Sequence, residues 1–125
     1  MLLVLALGTA VVTGPTAYTF LAPSIGALGA FATSSTSGAL VLFTEFQETA
    51  ARALKLPVSL VVAAQMAGAA AGNALAALDI LIGLLVIGKP RLLGKVLKLT
   101  VIWAVLTITV VGAGAVCLYW IGGGL

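Results

Sequence analysis

The sequence predicts an all-α integral membrane protein: about three transmembrane helices plus a re-entrant helical hairpin, with one helix broken at its middle. Three observations lead there. Of the 125 residues, 62% are hydrophobic and only 7% are charged, with a mean hydropathy of +1.30. Soluble domains run at about 45–50% apolar and about 25% charged. The charges also act as punctuation. None occurs from Met1 to Thr44, then Glu45, Glu48, Arg52 and Lys55 fall together. Asp79 alone interrupts Leu56–Gly88, Lys89, Arg91, Lys95 and Lys98 follow, and the rest is uncharged. The third observation is a polar knot: Thr33, Ser34, Ser35, Thr36 and Ser37, then Gly38, stand between two apolar runs.

The same composition removes several function classes. The net charge of +3 comes from six basic and three acidic residues. Most of the basic ones flank a membrane segment and none is interleaved with aromatic residues, so nucleic acid is not an expected partner. Histidine is absent and Cys117 is the single cysteine, which removes the commonest acid–base catalyst and any cysteine metal cluster. In its apolar run Cys117 reads as a small buried hydrophobe. No nucleophile–base pair, Walker loop or dinucleotide fingerprint is present. Neither an enzyme nor a cofactor is expected.

A spanning helix needs about 20 apolar residues. Residues 1–21 fit one crossing, and without a positive n-region they read as a span rather than a cleaved signal. Residues 22–42 are long enough to cross but carry the knot at their centre, which leaves two readings. One is a fourth spanning helix; the other is a re-entrant hairpin over residues 22–55, turning at Ser35–Gly38. Non-helical backbone at membrane depth needs surrounding protein or a water-filled cavity, and Ser, Thr and Gly suit such a tip. Residues 57–87 are too long for a straight crossing. The sequence GAAAG from Gly68 to Gly72 marks the expected break, with Asn73 and Asp79 beyond it. Residues 88–99 form a cytoplasmic amphipathic segment whose basic residues suit anionic lipid. Residues 100–122 make the last span and end in the interfacial pair Tyr119 and Trp120. With the hairpin, the positive-inside rule places the N-terminus in the cytoplasm and the C-terminus outside, in a multi-pass protein of the cell (inner) membrane.

Each polar motif has a functional and a packing reading. Unwound, the knot offers hydroxyl and backbone N–H donors to a carboxylate, helped by a helix N-terminus. Alternatively, its hydroxyls bond back to the preceding turn. GAAAG is a small-xxx-small packing pattern, or the weak point of a discontinuous helix. Asp79 is the only acid within an apolar span, a proton-site candidate by default, or a hydrated acid near a membrane surface. On one continuous helix it would share a face with Gln65. Glu48 and Arg52 are spaced for a modest surface pair.

Five stretches, in order, carry a family resemblance: APSIGALGAF (22–31), the knot, LFTEFQETAA (42–51), LPVSLVVAAQMAGAAAGNALA (56–76) and KPRLLGKVLKLT (89–100). From about Ala22 onward the chain resembles the C-terminal part of the L-lactate permease family. That resemblance implies part of a secondary transporter moving lactate or a related 2-hydroxy monocarboxylate with protons. It implies hairpin tips and broken helices meeting at the substrate site. Ser35, Thr36, Ser37, Gly38, Gly68, Gly72 and Asn73 are then the substrate-binding residues, with Gly38 as turn former, and Asp79 couples the proton. Thr36 and Leu40 stand where the family pattern has an Asp and an Asn, and Asn73 where it has a Lys. Full members are longer and contain two repeats, so a partner chain, an N-terminal repeat or a homo-oligomer is implied, besides the lipid bilayer. The alternatives are a truncated or degenerate, transport-inactive repeat and a small homo-oligomeric transporter of another substrate.

Overall fold

Gly14 takes φ 73° and ψ 166°, a backbone region that favours glycine. Pro15 follows, lacking an N–H and pre-set for a first helical position. This computed structural model describes residues 2–122, with side chains from Gly14 onward, so most of the expected first span lies outside the described side chains. Helix α1 runs Leu2–Thr33 across the Gly14 kink. The helix therefore breaks at Gly14–Pro15 and runs on through residue 21, where the sequence pattern suggested a boundary.

After two residues of turn, α2 covers Thr36–Ala53, α3 Val58–Asn73, α4 Ala77–Val86 and α5 Leu93–Gly122, with a 3-10 turn at Pro90–Leu92. Residues 22–53 thus form a helical hairpin whose arms pack antiparallel. Gly29 lies against Ala39 and Phe43, while Ala22 meets Gln47 nearer the open end. A Cβ on Gly29 would approach the Phe43 ring to 2.8 Å. Two side chains pin α1 to α2. Tyr18 donates its hydroxyl to Gln47 Oε1 at 2.7 Å, and Gln47 Nε2 donates to the Ala22 carbonyl at 3.1 Å. Tyr18 and Gln47 are both buried.

α3 returns parallel to α1. Gly68 sits on the Pro23 backbone and Gly72 on the Ala27 backbone, while Gly26 sits on the backbone of Gln65. At these crossings a Cβ would fall inside the facing main chain, so GAAAG is a packing face and the helix continues through it. The expected break at Gly68–Gly72 lies instead at Ala74–Ala76, where Leu75 and Ala76 donate to Gly72 and Asn73 in a short turn. The position has a physical reason. Packing on α1 holds α3 helical, and α1 ends at Thr33, level with the end of α3. The core is correspondingly small-sided, with Ala22, Ala50, Ala51 and Ala64 around Tyr18, Leu56 and Val61.

α5 crosses this unit through Ala104, Gly112 and Ala115, with Gly112 against the Phe20 carbonyl. It is one helix from Leu93, so the amphipathic segment and the last span are not separated by a break at Thr100. Gly88, at φ 70°, permits the reversal before it. Cys117 is exposed on α5, not buried, because the packed stripe of that helix passes to its other side. The runs Val58–Val86 and Pro90–Gly122, with mean hydropathies of 2.0 and 2.4, are long and apolar enough to cross a membrane. Leu85, Val86, Ile102, Trp103, Leu106 and Ile121 face outward along them. An apolar exterior on that scale belongs in hydrocarbon or against protein.

Candidate functional site

The hydroxyl knot forms the turn of the hairpin. Ser34 adopts φ 50°, a left-handed conformation uncommon for residues other than glycine. Ser35 is extended at φ −153° and caps α2: its Oγ accepts from the Gly38 amide at 3.0 Å. The Ser35 amide bonds Ala30 O at 3.2 Å, and Ser35 O accepts from Ala39 N at 3.0 Å. Thr33 Oγ1 donates within the same turn, at 2.8 Å from Gly29 O and 2.9 Å from Ser35 O. The turn therefore lies at Ser34–Ser35. Gly38 is not its former but the third residue of α2. Its missing side chain leaves room for Thr33 and Ser35, which a Cβ would meet at 3.2 Å. Replacing Ser35 by Ala is expected to cost about 1 kcal/mol, read as a lower melting temperature in detergent.

The capping leaves a specific remainder. The first amides of a helix have no intrahelical acceptor, and Ser35 Oγ engages only that of Gly38. The amides of Thr36 and Ser37 remain at the positive end of the 18-residue helix α2, where an anion is favoured. Ser37 is exposed and Thr36 half-buried.

The α3–α4 break lies at the same end of the molecule. Pro23 faces Gly68 and Ala27 faces Gly72, so the parallel register carries the end of α1 alongside Ala74–Ala76. Leu28, Phe31 and Leu75 share the wall of one apolar groove with Leu97 and Val101 of α5. α4 begins at Ala77 without a side-chain cap. Of the residues expected in the site, Ser35, Thr36, Ser37 and Gly38 thus share an end with Asn73. Gly68 and Gly72 are buried in the α1–α3 contact. Asp79 is exposed in the first turn of α4, where a negative charge complements the helix dipole. It does not share a face with Gln65, which is fully buried: the break interrupts the helical register between them.

Sequence reasoning passed over Tyr18 and Gln47. A tyrosine on α1 and a glutamine on α2 carry no local signal, since only the hairpin brings residues 29 positions apart into contact. Among the described residues no cluster of three or more His, Cys, Asp or Glu side chains could hold a metal ion.

Comparison with families of known proteins matches the L-lactate permease model over residues 1–122. The match takes in the first twenty residues, beyond the reach of the stretches quoted above. No curated protein and no solved structure gives a match. On this match the chain belongs to the L-lactate permease family, a family of membrane transporters named for lactate.

Proposed function

We propose that this chain is the substrate-facing part of a secondary transporter that carries lactate or a related 2-hydroxy monocarboxylate together with protons. One observation carries the reading: the capped turn of a helical hairpin and the break between two helices lie at one end of a tightly packed three-helix unit. Discontinuous helices whose N-termini point at an anionic substrate are a recurring transporter device. In this reading the hairpin is re-entrant, and the amides and hydroxyls of Thr36 and Ser37 hold the carboxylate. Asn73 lies at the same end of the unit. Gly68 and Gly72 act by letting α1 and α3 close up behind the site. Asp79 is the acid nearest the break and the proton-coupling residue. A partner chain, an N-terminal repeat or a second copy completes the enclosure. The N-terminus is cytoplasmic and the C-terminus external, because Lys89, Arg91, Lys95 and Lys98 follow the positive-inside rule.

Thr36→Pro tests the site without breaking the helix. Proline is well tolerated at a first helical position, and the extended Ser35 suits a following proline. It removes one amide and one hydroxyl. Labelled lactate uptake is measured in membrane vesicles from cells that make the protein, against vesicles lacking it. Uptake is expected to fall at least about tenfold, the scale of losing a charge-assisted hydrogen bond of roughly 1.5–3 kcal/mol. Unchanged uptake removes the carboxylate site from this turn. A transport-inactive repeat is the second reading, favoured by Thr36 and Leu40 standing where the family pattern has an acid and an amide. It predicts no uptake above background in the unmodified protein.

A further inference from the structure

Helix α3 ends in an acceptor without a donor. Asn73 is its last residue, and Asn73 Oδ1 is buried with no hydrogen-bond partner. Buried acceptors in that condition are costly and uncommon. Gln65 Oε1 is in the same condition, but Gln65 is sealed inside the helix packing. Its backbone lies on Gly26, and its Nε2 is 3.5 Å from Ala39 O. Asn73 differs in position. It is a partly exposed residue beside the coil at Ala74–Ala76. Ala30, Ala39 and Ala69 form one buried cluster. One helical turn further toward this end, four residues along each chain segment, come Ser34, Ser35 and Asn73. Asn73 is therefore level with the hairpin turn and with the unengaged amides of α2.

A 2-hydroxy acid needs both kinds of partner. Its carboxylate only accepts hydrogen bonds, whereas its hydroxyl has a proton to donate. We infer that Asn73 Oδ1 accepts the hydrogen bond of the substrate's 2-hydroxyl and so selects 2-hydroxy acids over monocarboxylates that lack the group. This rests on the transport reading above and adds to it the residue that reads the hydroxyl. Oδ1 is covered in this conformation, so the proposal requires that it be uncovered when substrate enters. A pocket that merely fits a shape discriminates weakly. A site whose buried polar group is left unpaired by the wrong substrate discriminates strongly.

The test compares labelled lactate with labelled propionate, of similar size but without the hydroxyl, in vesicles carrying the unmodified chain or Asn73→Leu. The unmodified protein is expected to prefer lactate at least about tenfold, a modest value for a site that hydrogen-bonds a hydroxyl. Asn73→Leu is expected to lose that preference because lactate uptake falls while propionate uptake stays. Its melting temperature in detergent is expected to be no lower, since leucine keeps the branched shape at the γ carbon and removes an unpaired acceptor. Parallel loss of both uptakes with a lower melting temperature makes Asn73 structural and overturns the inference. A retained preference overturns it too. If lactate uptake is present and sensitive to Thr36→Pro in either of these cases, the transport reading stands and only the role of Asn73 falls. If the unmodified chain moves neither acid, both fall together.

Discussion

Replacing Gly68 by alanine is expected to lower the melting temperature in detergent. The Cβ would enter the Pro23 main chain, touching its carbonyl carbon at 2.5 Å and its Cα at 2.6 Å. Backbone cannot swing aside as a side-chain tip can, so α1 and α3 must separate. Two effects oppose each other. Alanine is the better helix former by about 1 kcal/mol, whereas forcing extra volume into a packed contact costs about 1–3 kcal/mol and occasionally more. Here the second wins, because the clash lies in the middle of the most extensively glycine-lined crossing. Gly83→Ala is the control: nothing lies within 4 Å of a Cβ there, so only the propensity gain remains and the melting temperature holds or rises. Equal behaviour of the two variants would show that α1 and α3 do not meet at Gly68.

The second large effect is expected at Gln47. Gln47→Leu leaves the buried Tyr18 hydroxyl without its acceptor and removes the donor to Ala22 O. An unsatisfied buried donor costs about 1–3 kcal/mol, although interhelical hydrogen bonds inside membranes average nearer 0.6 and reach about 1.7 kcal/mol. A loss of about 1–2 kcal/mol is therefore expected for Gln47→Leu. Tyr18→Phe should cost less, because it deletes the donor and leaves the glutamine carbonyl as the lone orphan. The double variant should lose less than the sum of the two, since the second change removes the orphan that the first creates. That coupling, measured as a double-mutant cycle by unfolding in detergent, reports whether α1 and α2 meet at Tyr18 and Gln47. Additive losses would mean that they do not.

Much of the helical content was legible because composition and charge spacing speak directly about solvent. The long uncharged runs, the Glu48–Arg52 pair on the solvated face of α2, at 3.8 Å, and the basic turn before α5 all follow from where water must be. The knot was legible as a turn but not to the residue. Ser35 rather than Gly38 does the local work, because an extended serine at a helix start can accept an amide hydrogen bond and glycine cannot. The break in the long third segment was misplaced for a related reason. Glycines weaken an isolated helix, but here they are the surface that lets a neighbouring backbone approach. The helix survives through Gly72 and ends only where its partner ends.

Sequence by itself determined that the chain is helical and apolar, and that its hydroxyl residues interrupt a membrane-length run. Composition and short-range spacing carry that information, and each follows from transferring side chains and amides out of water. Only the tertiary structure decided what the polar residues do. Gln47 became a clamp, Gln65 was sealed in the packing, Asp79 was left on the surface, and Asn73 came level with the turn at Ser34–Ser35. Those outcomes depend on the register between α1, α2 and α3. That register is set by backbone contacts at Gly26, Gly68 and Gly72; the small-xxx-small pattern marks a packing face but not which backbone meets it.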